Sequence, residues 1–192
     1  MTLSKFDVRA PELSSRDPDC FEPFSFPDVW QLEEHESFSR LRIGPSGRQI
    51  GLMLDICKRW ETPLWMLVVV VVSRDEWAEG RYQSPHPVSF SELELLLWEY
   101  QELFEQDGRA HMWIGSSETK NLLVMDRHNL IYAYGDLASI ENTVVANALS
   151  EGDVSIPYPH SHHYHVEFDS TFRALMEHWD WRYSELQPGD DD

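Results

Sequence analysis

At 192 residues, 42% of them hydrophobic, the chain is long enough for one domain with a substantial core, and no shift in composition marks a second. Its 34 acidic against 15 basic residues set a formal charge of −19, and protonating all nine histidines would still leave about −10. Nucleic acid and anionic membrane surfaces are therefore disfavoured as partners, since their phosphates would be repelled, whereas a basic protein or a cation is favoured.

Residues 1–28 read as an N-terminal arm: Pro11, Pro18, Pro23 and Pro27 argue against regular structure, while Phe6, Phe21, Phe24 and Phe26 imply that it drapes over the domain. The two cysteines, Cys20 and Cys57, have no CxxC spacing and suit a reducing compartment. The first residues show neither a secretory nor an organellar pattern, so the expected location is cytoplasmic. A single α+β (mixed α/β) domain is expected over 29–185, followed by an acidic, disordered tail over 186–192.

Asp28 is placed to cap a short helix through Trp30, Leu32 and Phe38. A firmer helix is predicted from Gly47 to Trp60, opened by Ser46 and Gln49 in a capping-box pattern, with Ile50, Met53, Leu54, Cys57 and Trp60 on one face. After Pro63 comes Leu64 to Val72, the longest uninterrupted apolar run in the chain. Nine residues fall far short of the roughly 20 needed to span a bilayer as a helix. Valines at 68–72 lose rotamer freedom in a helix and suit a pleated surface. The run is predicted to be the central strand of a sheet of about five strands, covered by helices on both faces.

Glu76 to Pro87 forms a long polar connection in which Trp77, Tyr82 and His86 stand out. Ser89, Glu92, Val88 and Leu93 spell a capping box with a hydrophobic staple. The helix they open carries Leu93, Leu96, Leu97, Tyr100 and Phe104 on one face and stops at Gly108. Followed by a strand at Ala110 to Gly115, it would complete a crossover if the flanking strands were parallel. HMWIG, LLVMD and LIYAY then read as an antiparallel meander. Asp126, Arg127, His128 and Asn129 resemble a catalytic cluster, but their residue types are those of a tight turn, and that is the reading adopted. A further helix follows Asp136, another follows Asp169, and about four helices are expected in all.

Four histidines fall within His160 to His165, and neutral imidazole is a common metal ligand. On a strand over 161–168, His163 and His165 would share a face at a separation of about 6–7 Å, close enough to hold one ion. That pair is the first choice, with His160, His162 and His111 as candidates for the remaining ligands. No HExxH, cysteine-bearing zinc pattern, phosphate-cradling glycine loop or GxSxG elbow accompanies them, so no motif demands a cofactor; a divalent metal such as zinc is the one the histidines would take. Trp77, Tyr82, Trp179 and Trp181 are the aromatic candidates for partner binding. Charge and size lead to a non-catalytic protein-binding module of immunity- or inhibitor-like type with a basic partner; the alternative is a metal-binding protein or metal-dependent enzyme using His160 to His165.

Overall fold

The computed structural model describes residues 3–10, 20–74 and 76–190. The described chain forms β1 (Phe6–Arg9), β2 (Phe21–Pro23), β3 (Val29–Glu34), β4 (Ser39–Gly44), α1 (Gln49–Cys57), β5 (Leu64–Val70) and β6 (Gly80–Gln83). These are followed by α2 (Phe90–Glu99), α3 (Gln101–Gln106), β7 (Ala110–Ser116), β8 (Leu122–Met125), β9 (Ile131–Tyr134) and α4 (Leu137–Ala146). The last elements are β10 (Ser150–Glu151), β11 (His160–His162), a 3₁₀ turn at Val166–Phe168, α5 (Asp169–Glu177) and β12 (Arg182–Ser184). The fold is α+β.

The sheet is larger than the five strands expected. Nine strands run in the order β10-β3-β4-β9-β8-β7-β5-β6-β12, and a separate three-stranded sheet runs β11-β1-β2. Every pairing is antiparallel except that of β10 with β3. The meander over β7, β8 and β9 is present, but β5 pairs with β7 antiparallel, so α2 and α3 close no parallel crossover.

Strand β5 lies third from one end rather than at the middle, and its Leu64, Met66, Val68 and Val70 are buried on one face. They join one core with Met112, Ile114, Leu123, Ile131 and Leu41 of neighbouring strands and with residues of all five helices, among them Ile50, Leu96, Phe104, Val144 and Leu175. Helices thus cover one face only. The second face carries Trp65, Leu67, Trp113, Val124 and Tyr132, all half-buried. Part of its cover is β-structure: Phe6 and Val8 of β1 pack with Phe26, Leu130, Val154 and Tyr132 in a second, smaller core.

Three local expectations change for physical reasons. Within Val29–Glu34 the residues Trp30, Gln31, Leu32 and Glu33 alternate apolar and polar side chains, and the segment pairs with β4 as a strand, so Asp28 caps no helix; its carboxylate instead accepts from the Ser46 backbone N–H at 2.8 Å and hydroxyl at 2.7 Å. Ser46 being thus engaged, α1 has Arg48 as its N-cap, in the left-handed region (φ 61°) and with no side-chain cap bond. The proline-rich arm supplies β1 and β2, because Phe6 and Val8 alternate with polar neighbours as a half-buried strand requires; Pro11 and Pro18 lie outside the described residues. At the other end the acidic tail folds back as far as Asp190, whose carboxylate takes a two-point contact from Arg81 at 2.8 and 2.9 Å. Both cysteines are free, and burial of Cys57 in the core drives its thiol pKa up, which leaves it a packing residue. Among the described residues no helix is long and apolar enough to cross a membrane.

Candidate metal centre

The turn between β8 and β9 is built by Asp126. One carboxylate oxygen accepts from the backbone N–H of His128 at 2.8 Å and of Leu130 at 3.0 Å, and Asn129 takes the left-handed conformation (φ 59°) that closes the loop. The turn reading of these residues therefore matches their backbone. The other carboxylate oxygen, however, lies 3.0 Å from Nδ1 of His128 and fixes that ring. Burial pushes the Asp126 carboxyl upward, but the hydrogen bond from His128 and the nearby Lys5 ammonium act the other way, and its pKa lies below the ordinary carboxylate range. The Lys5 ammonium is itself buried against this turn, donating to the carbonyls of Asp126 at 2.9 Å and Phe104 at 2.8 Å; desolvation lowers its pKa to about 8.

Strand β11 brings in the other two rings. Phe6 pairs with His162 and Val8 with His160, so both imidazoles project from the same face of the strand, next to the Phe6 ring. That ring lies 5.4, 6.3 and 6.1 Å, centroid to centroid, from His128, His160 and His162. Nε2 of His128 and Nε2 of His160 stand 3.3 Å apart, and one nitrogen from each of His128, His160 and His162 lies within 4.8 Å of the others.

The protonation of these rings follows from their outer partners. A carboxylate and a carbonyl only accept hydrogen bonds, so Nδ1 of His128 donates to Asp126 and Nδ1 of His160 donates to the carbonyl of Pro157, 3.0 Å away. In the neutral form of each ring Nε2 is then a bare lone pair, and the two Nε2 atoms face each other. Two lone pairs at that distance repel unless a positive charge lies between them. His162 adds a third donor: both of its ring nitrogens are buried and lack a hydrogen-bond partner. Burial, with the charge of Arg127 nearby, pushes its pKa down to about 3, so it stays unprotonated at neutral pH, as a ligand must.

The strand ends at His162, which decides the fate of the other histidines. His163 and His165 do not alternate on a sheet; their rings are 5.9 Å apart and each has a different partner. Nε2 of His163 sits 3.0 Å from the Asp7 carboxylate but outside hydrogen-bond alignment, so that contact is ionic only when the ring is protonated. Nε2 of His165 lies 2.7 Å from the carbonyl of Ser4. His111 is buried on β7, with Nε2 unpartnered and its pKa lowered to about 4 by burial, and it stands apart from the group of three. The structure thus brings together His160 and His162 of the candidates, and joins to them His128.

The aromatic candidates for partner binding pack within the molecule. Tyr82 is 4% exposed and donates to the carbonyl of Ala78 at 2.7 Å. Trp77 lies against it, and Trp179 and Trp181, 5.0 Å apart, pack partly buried on the main core. Compared with protein-family models, with curated proteins and with solved structures, the chain matches none.

Proposed function

We propose that this chain is a metal-binding protein in which His128, His160 and His162 hold one divalent transition ion, zinc being the best match. The observation that carries the reading is the pair of Nε2 atoms facing each other at 3.3 Å with both Nδ1 atoms already committed to acceptors. Zinc–imidazole bonds of about 2.0–2.1 Å in a tetrahedron place neighbouring ligand atoms about 3.3 Å apart, so this separation supports a shared ion. A proton shared by the two rings would also relieve the repulsion, but it would leave the buried nitrogens of His162 unused. A metal engages all three. The outer contacts fit as well: Asp126 on His128 and the Pro157 carbonyl on His160 are the carboxylate and backbone partners that set the tautomer of metal-binding histidines.

Elemental analysis of the untagged full chain after zinc loading and desalting tests this. One zinc per chain is expected, retained in His163→Ala and His165→Ala and lost in His128→Ala, His160→Ala and His162→Ala. Retention of a full equivalent by the last three variants would refute the assignment.

A further inference from the structure

Resting on the three-imidazole reading, we infer that the centre keeps one coordination position exchangeable, and that this position takes water or a small anion. Three lines of geometry lead there. First, among the described residues only His128, His160 and His162 offer donor atoms within reach of one point; no carboxylate or thiol joins them. A tetrahedral ion held by three protein ligands has a fourth place to fill from solution, the arrangement that separates catalytic zinc sites from closed structural ones.

Second, the wall beside the centre supplies no further ligand. The Phe6 ring meets all three imidazoles and supplies an apolar floor with no donor atom. Strand β11 is the edge strand of its sheet, with His160 and His162 half-exposed on it, while the ring nitrogens of His162 are themselves buried.

Third, the local charge selects an anion although the chain as a whole is strongly acidic. Three neutral imidazoles leave the charge of a divalent ion undiminished. Arg127, which acts electrostatically on His162, and the buried Lys5 add positive potential, against which stands the carboxylate of Asp126 that is committed to His128 and the turn. A small oxyanion, a carboxylate or phosphate group, or a hydroxide formed from water, is therefore the fourth ligand the site is built to accept.

Cobalt(II) makes both layers of the argument visible in one titration of the full chain. One cobalt per chain with the intense visible absorption of a four-coordinate ion is expected, absent in His160→Ala. Adding azide, acetate or inorganic phosphate to the loaded protein is then expected to shift that absorption in a saturable way with a single midpoint. A spectrum that stays unchanged at saturating concentrations of all three anions, with cobalt bound at one equivalent, would overturn the exchangeable position while leaving the three-histidine centre standing. Failure of the wild-type chain to bind cobalt at all would remove the centre itself and the inference with it.

Discussion

Asp126 serves two structures through its two oxygens, and substitution can separate them. Asparagine at this position keeps the oxygen that accepts from the N–H groups of His128 and Leu130, so the turn should close, but it replaces the carboxylate that faces Nδ1 of His128 by a neutral group. Removing such an outer partner commonly weakens metal binding about 10- to 100-fold. Asp126→Asn is therefore expected to lower zinc affinity by that factor in a chelator competition while apo protein still unfolds cooperatively; unchanged affinity would show that the carboxylate serves the turn alone. The same residue explains why the centre was only half legible in the sequence. Asp-x-His-Asn carries a correct turn signal, and that signal masks the proposed ligand, because nothing local says that a ring 32 positions from His160 will meet it. His160 and His162 were visible as a spacing of two on a strand, but where the strand ends depends on its pairing with β1, which spacing within one segment cannot supply.

Elements with local determinants were the readable ones. Ser89 and Glu92 form the reciprocal capping box that their spacing predicts, and β5 is a strand because consecutive valines suit nothing else as well. What escaped was β1, a strand of four residues in a proline-rich arm, and it is the element that pairs with the strand carrying His160 and His162. Its Phe6 is 1% exposed, packs on Phe24 and lies against all three imidazoles. Truncating a buried phenylalanine to alanine costs about 3–5 kcal/mol through lost burial and the cavity left behind. Phe6→Ala should therefore destabilise the apo protein by that amount in chemical denaturation and also weaken zinc binding, although no ligand atom is removed. Phe6→Leu, which refills most of the space, should restore most of both. A variant that lost stability yet bound zinc with full affinity would show that β1 does not hold the ligands in place.

At the scale of the whole molecule the sheet was underestimated because a strand count depends on long-range pairing: β10 and β12, of two and three residues, exist only through their neighbours β3 and β6. Charge, by contrast, is legible from composition alone, and it bears on the metal. A charge of −19 makes the compact state repel itself, and it raises the local concentration of divalent cations as it would that of a basic protein partner. Internal ion pairs such as Arg40 and Arg42 with Glu33, at 2.6 and 3.3 Å, offset only a part of that excess. Salt acts on both effects through screening, with a Debye length of about 10 Å at 0.1 M. Raising sodium chloride should thus increase the melting temperature of the apo protein, because repulsion among many unpaired carboxylates is lost, and at the same time shrink the additional stabilisation conferred by a fixed concentration of zinc, because the long-range attraction for the dication is lost as well. Differential scanning calorimetry with and without zinc across a sodium chloride series reads both. Chloride competing for the exchangeable position would act in the same direction on the zinc increment, so a matched series with a bulky organic anion that cannot enter the site separates general screening from occupancy: screening predicts the same loss in both series, and chloride binding predicts a larger one in chloride. An apo melting temperature that falls with salt would instead mean that attractive pairs outweigh repulsion in this fold, and that the acidic excess is dispersed enough not to govern its stability.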